Sequence, residues 1–181
     1  MKNNILKSGI LITLIILIFS CIIADVSAEN NATSVMTLSK EGIILSYPSD
    51  WGYSQSTSKD SLMAISKLDS IDSLGIGQIN INIEKRPIEG SDFNTFVNKT
   101  YTSMMHDSSF KLISSGEVVV GGKNALEYTY ISHGNGGDRQ HKAVWFEYGN
   151  QACVVMYSAP ADQFESNLHI FDYILSELKF A

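Results

Sequence analysis

From Met36 onward, apolar and polar positions alternate in short runs that twice give way to helical spacing. Ile43-Ile44-Leu45-Ser46-Tyr47 is a short apolar strand stopped by Pro48, and Ser61 to Leu68 is a second. The clearest period of two lies in Ile76 to Glu84, where Ile79, Ile81 and Ile83 alternate with Asn80, Asn82 and Glu84. This spacing buries the isoleucines on one face of a strand and predicts a wet opposite face. The period then lengthens. Phe93, Phe96, Val97, Thr100, Tyr101, Met104 and Met105 recur at helical spacing, which predicts a helix near 92–106 with one stripe on a core. Ser91 or Asp92 can cap its start.

Strands return at Lys111 to Val120, which ends in the Gly121-Gly122 turn signal. Ala125 to Ser132 places Leu126, Tyr128 and Tyr130 on one face; Arg139 to Tyr148 does the same with Val144, Phe146 and Tyr148. Ala152 to Tyr157 is apolar throughout, as in a central strand. Short connections predict that these last three strands form an antiparallel meander. Pro160 is placed to open a second helix, near 160–177, because a missing N–H costs nothing in the first turn. Its stripe is Phe164, Leu168, Phe171, Leu175 and Leu178. Trp51 should close one end of the core. Trp145, on the face opposite Phe146, is buried if a helix covers that side and is a recognition anchor if none does.

The first 28 residues follow a different pattern. Lys2 and Lys7 precede a hydrophobic stretch from Gly9 to Ala24, and Val26-Ser27-Ala28 offers small residues for a signal peptidase. As a helix the stretch would reach ~24 Å at ~1.5 Å per residue, short of a ~30 Å hydrocarbon core. Cleavage after Ala28 is the expected outcome. Two others remain open: an uncleaved anchor with its N-terminus in the cytoplasm, and lipidation at Cys21, where Ile18-Phe19-Ser20-Cys21 resembles a lipobox with a bulky Phe19. Each places the rest of the chain outside the cytoplasmic membrane, with membrane contact through this segment alone. Residues 29–35 are polar and aperiodic and read as a tether, leaving one domain over 36–181.

Charge narrows the partners. The chain carries a net −6, and cleavage would remove Lys2, Lys7 and Asp25. No basic run remains in the domain, which argues against nucleic acid. Cys153 lies in the apolar run Ala152 to Tyr157 and reads as a small buried hydrophobe. Asn31-Ala32-Thr33 and Asn98-Lys99-Thr100 are glycosylation tripeptides, with meaning only in an organism that glycosylates exported proteins.

The residues also carry a resemblance. Gly42-Ile43-Ile44-Leu45-Ser46-Tyr47-Pro48-Ser49-Asp50-Trp51 resembles the opening of PsbP-like domains, where an apolar strand ends in a Tyr-Pro-x-x-Trp turn. Gly122-Lys123-Asn124-Ala125-Leu126-Glu127-Tyr128 is similar to that family's glycine turn entering a strand, and the Ala143 to Ala159 hairpin and closing helix to Leu178-Lys179-Phe180 fit as well. The resemblance covers about Met36 to Ala181. It implies an α+β fold: an antiparallel sheet with helices on its faces, an α/β/α sandwich. It also implies a binding or assembly role without catalysis, as in an extrinsic photosystem subunit, DcrB-type envelope lipoproteins and a Ran-binding protein. No chloroplast transit signal accompanies it.

Catalytic motifs do not emerge. Gly75-Ile76-Gly77 precedes a strand instead of a helix, so it lacks the geometry that cradles phosphate. There is no P-loop, nucleophile elbow or zinc-protease signature. The one polar constellation is His133, Asp138 and His141 around Gly134-Asn135-Gly136-Gly137, two imidazoles and a carboxylate that could serve as metal ligands. The bland alternative is an exposed loop with solvated side chains. His106 should interact with a helix end. The sequence therefore predicts an exported, non-catalytic binding or assembly protein with an envelope protein or complex as partner and no cofactor. A small-ligand or metal-binding module using the 133–141 loop, and a hydrolase with an unrecognised site, are the alternatives.

Overall fold

The computed structural model describes residues 34–88 and 90–181. The signal or anchor segment 1–28, Cys21, the Asn31 tripeptide and most of the tether lie outside the described residues. Among those described, no helix is long and apolar enough to cross a membrane.

The chain opens with a hairpin of β1 (Val35–Lys40) and β2 (Ile43–Pro48), joined at Glu41-Gly42, both at positive φ. This two-residue turn matches the strand twist. The short β10 (Lys179–Phe180) pairs with the other side of β2, completing a three-stranded sheet. A second sheet has seven strands: β3 (Trp51–Tyr53), β4 (Ser61–Lys67), β5 (Asn80–Pro87), β6 (Phe110–Val120), β7 (Lys123–Ser132), β8 (Arg139–Tyr148) and β9 (Gln151–Pro160). Its order is β3-β4-β5-β9-β8-β7-β6, antiparallel throughout. The expected meander is β7-β8-β9. The fold is thus α+β, as the periodicity and the resemblance implied, with the first strands and the last forming a sheet of their own.

Helix α1 (Phe93–Met104) lies on one face of the large sheet, capped by Asp92, whose carboxylate accepts from the Thr95 N–H. It buries Val97 and Tyr101 against Tyr128, Trp145 and Val154. Trp145 is covered: its indole N–H donates to the Tyr101 hydroxyl at 3.0 Å, and Phe96 meets its ring edge-on. Helix α2 (Phe164–Ser176) lies on the other face together with the small sheet. Phe164, Phe171 and Ile174 enter a core with Ile81, Ile83, Phe146, Val155 and Trp51. Cys153 is buried there as a free thiol, raised to about 11 chiefly by burial. It is inert as a nucleophile.

Two expectations are corrected. Pro160 ends β9 instead of opening the second helix, which starts at Phe164 after Gln163. β9 is longer than its apolar run suggested because Ser158 and Ala159 extend its pairing with β8. The second correction is larger: the polar face of β5 is not wet. Asn82 is 4% exposed and Glu84 2%.

Candidate functional site

The buried polar face arises from register. β5 pairs with β9 so that Asn80 faces Ser158, Asn82 faces Met156 and Glu84 faces Val154; β9 in turn sets Ser158 opposite His141. Side chains paired across a sheet share a face. Asn80, Asn82, Glu84, Ser158 and His141 are therefore neighbours on the side that also carries α1, beyond the aromatic patch under that helix.

These groups form two hydrogen-bonded sets, with Asn80 between them bonded to the Gly77 carbonyl. The Glu84 carboxylate accepts from Asn82 at 2.8 Å and from both Nε and an Nη of Arg86, at 3.1 and 2.6 Å. Asn82 accepts from the Ser61 hydroxyl. The Arg86 guanidinium also lies over the Trp145 ring, 5.6 Å from its centre. A carboxylate this buried requires such a partner, because desolvation of a lone charge costs several kcal/mol. Further along the face, His141 is clamped between two hydroxyls: Nδ1 to Ser158 at 2.7 Å and Nε2 to Ser132 at 2.8 Å. Its ring stacks on Tyr130. Burial first, and the Arg139 charge second, lower its pKa to about 4. Among the described residues no buried side-chain nitrogen or oxygen lacks a partner.

Over this floor lies a cavity of about 300 Å³, walled by the loops 54–58 and 70–78. The loops are joined by the Gln55 N–H bonding to the Gly75 carbonyl at 3.0 Å. Asp72 organises the second loop by accepting from the N–H groups of Leu74 and Ile76. Gly77 is required where that loop crosses β4, since a Cβ there would collide with Ser66. The glycines of Gly75-Ile76-Gly77 thus shape a wall of the cavity. Arg139 stands at one end, donating to the Gln78 carbonyl at 2.6 Å and to its side-chain oxygen at 3.3 Å.

The predicted constellation is divided by this arrangement. His133 and Asp138 meet at 2.8 Å, exposed at the loop. His141 is on β8, turned into the sheet face with both ring nitrogens engaged by serines. Among the described residues no group of three or more His, Cys, Asp or Glu side chains is arranged to hold a metal ion. His106 bonds the Thr102 carbonyl at the end of α1. Asn98 lies on α1, where its side-chain oxygen accepts from Tyr128.

Sequence reasoning missed Asn82, Glu84, Arg86 and Ser158 as a unit. The available signal was the run Asn80-x-Asn82-x-Glu84-x-Arg86, four polar residues at a period of two, ending in an acid and a base on one face.

Chemically, the arrangement holds better than it reacts. A serine–histidine pair exists, but its imidazole is a weak base and is oriented by a hydroxyl instead of a carboxylate. A nucleophile needs the stronger base.

No protein-family model matches the chain, and no curated protein does. Solved structures do. The chain superposes on cyanobacterial PsbP (CyanoP) from Synechocystis sp. PCC 6803 with a TM-score of 0.58 at 15% identity, covering 82% of this chain and 94% of that one. LpqN of Mycobacterium tuberculosis, described as involved in cell envelope biogenesis, gives 0.56 at 15% identity, covering 82% and 91%. A Pseudomonas aeruginosa protein of unknown function gives 0.52 at 11%, covering 79% and 94%. At these identities the likeness speaks of backbone architecture, and on that level the resemblance read from Gly42 to Trp51 and beyond holds: this chain has the PsbP-like fold.

Proposed function

We propose that this protein is an exported, non-catalytic binding or assembly module acting on the outer side of the cytoplasmic membrane, with the polar cavity as its contact site. The observation that carries the reading is the cavity floor: two hydrogen-bonded sets of buried and half-buried polar side chains side by side on a sheet, without an activated nucleophile. Polar networks of this kind preorganise hydrogen-bonding groups for a partner. The signal-like N-terminus supports export. The shared fold with cyanobacterial PsbP and with a protein of envelope biogenesis supports an envelope setting, as analogy of fold. The partner is then a component of the envelope, and membrane contact belongs to the N-terminal segment.

Affinity capture from the native envelope tests this, comparing the mature domain with Asn80→Trp, which fills the cavity from its edge. Thermal unfolding verifies that the variant is folded. A partner retained equally by both proteins would remove the cavity from the proposal.

The small-ligand reading, first placed on the 133–141 loop, gains support from one observation: His141 and Arg139 line the cavity, which favours the cavity over the loop tip as the place for a ligand. The hydrolase reading has no comparable support.

A further inference from the structure

The cavity has two chemically different ends. Glu84 lies on one side of its floor, already neutralised by Arg86. Arg139 stands at the other, half-buried, its pKa lowered by burial. No carboxylate pairs with Arg139 among the described residues; only the two Gln78 oxygens accept from it. A guanidinium has five N–H donors, so most of its fork remains available. On a chain of net charge −6 this is a local positive site facing a cavity, and such a site selects anions.

The lining narrows the anion. Arg139 brings one positive charge, and Glu84 is already matched by Arg86, so the site balances a monoanion better than a dianionic phosphate ester. The bidentate geometry of arginine suits a carboxylate. Between the ends, the floor offers amides and hydroxyls: Asn80 with its side-chain oxygen unused, Asn82, and Ser158. Such groups pair with the hydroxyls of a polyol. An α-amino acid also carries opposite charges, but on adjacent carbons. Here Glu84 and Asn80 alone are four residues apart, about 13 Å of strand at ~3.3 Å per residue, and Arg139 bonds beyond Asn80, at Gln78. A hydroxylated chain held by its carboxylate at Arg139 can set successive hydroxyls along Asn80 and Ser158 without reaching Glu84, whereas an amino acid held there leaves its ammonium without a carboxylate partner.

Resting on the cavity reading above, we propose that the cavity binds a small polyhydroxylated monocarboxylate, a sugar acid. Its carboxylate meets Arg139 and its hydroxyl groups lie along the polar side chains of β5 and β9.

Calorimetric titration of the mature domain with D-gluconate and with D-glucitol tests this, because the two probes differ only in the carboxylate. Gluconate should bind at least about tenfold more tightly, as expected for a charge-assisted pair. Arg139→Gln should erase the preference. Asn80→Asp, which adds a negative charge without changing size, should weaken gluconate and spare glucitol. Lys123→Gln, outside the cavity, should change neither. Equal binding of the two probes, a preference unchanged in Arg139→Gln, tighter binding of L-serine or inorganic phosphate, or no saturable binding of gluconate at millimolar concentration would each overturn the proposal. If gluconate fails while Asn80→Trp still abolishes envelope capture, the ligand class falls and the binding role stands. If neither responds, both fall.

Discussion

The two faces of the seven-stranded sheet are made by the same strands and fold by different rules. Toward α2 and the small sheet, Ile81, Ile83, Val155, Tyr157 and Phe146 are all 1% exposed or less, and the face is held by apolar area. Toward α1, the face begins as an aromatic patch under the helix and ends as a floor of Asn82, Glu84, Ser158 and His141. Burial is comparable; chemistry is not. One face tolerates apolar exchanges that conserve its volume. The other requires each group to keep its partner, because a buried polar atom without one costs about 1–3 kcal/mol, and more if charged.

The apolar face should give the largest response. Phe171 is fully buried and stacks on Tyr157, so Phe171→Ala is expected to cost about 3–5 kcal/mol, measured by denaturant unfolding of the mature domain. A cost near zero would mean that the core lies elsewhere. On the polar face, Arg86→Met strands the Glu84 carboxylate and is expected to cost about 3 kcal/mol, at the lower limit for a broken buried pair because Arg86 is itself partly exposed. Adding Glu84→Gln should recover most of that loss. A double mutant no more stable than Arg86→Met would show that packing of Arg86 over Trp145 matters more than the charge.

His141 gives a smaller, pH-dependent effect. Its folded pKa of about 4 lies below the unfolded value of ~6.5. The unfolded chain therefore takes up the proton first as pH falls. Its neutral form contributes fully above pH ~6.5, and that contribution is lost progressively between ~6.5 and ~4, up to about 3 kcal/mol. Chemical denaturation across this window should show a steeper loss for the wild type than for His141→Gln; parallel profiles would contradict the assignment. Asp92→Ala, which removes the α1 cap over the same face, is expected to cost about 1 kcal/mol by thermal unfolding. An unchanged midpoint would show that packing alone fixes the start of α1. The smallest effect belongs to zinc. With His141 held by serines, the exposed His133–Asp138 pair should show no submicromolar zinc binding by calorimetry. Tight binding lost in His133→Ala would return His141 to the loop.

The apolar face was legible because its information is local. Isoleucines at 79, 81 and 83 and the stripe from Phe164 to Leu178 state which side turns inward. Trp145 was legible too, once two helices were available for two faces. The polar face was not, because its meaning depends on register between distant segments. Asn82 and Glu84 look solvated in β5 alone. Their burial follows from β9 lying beside them, some seventy positions later in the chain, and from loops 54–58 and 70–78 roofing the floor. The same dependence hid the small sheet, since β10 reaches β2 from the opposite end of the domain. Pro160 misled for a related reason: a proline is acceptable at a strand end as well as in a first helical turn.

Trp51 sits in the core shared with α2, and Trp145 sits under α1 beside Arg86. The chain has two tryptophans, so each face carries one indole, which longer-wavelength excitation selects over the tyrosines. Trp51→Phe and Trp145→Phe would turn the domain into a pair of single-colour reporters, one emission spectrum for each side. The indole of Trp145, with a guanidinium over its ring and its N–H bonded to a phenol, should shift its emission whenever the Glu84–Arg86 pair rearranges. The polar face can thus be watched optically, without a label, while the other side stays dark.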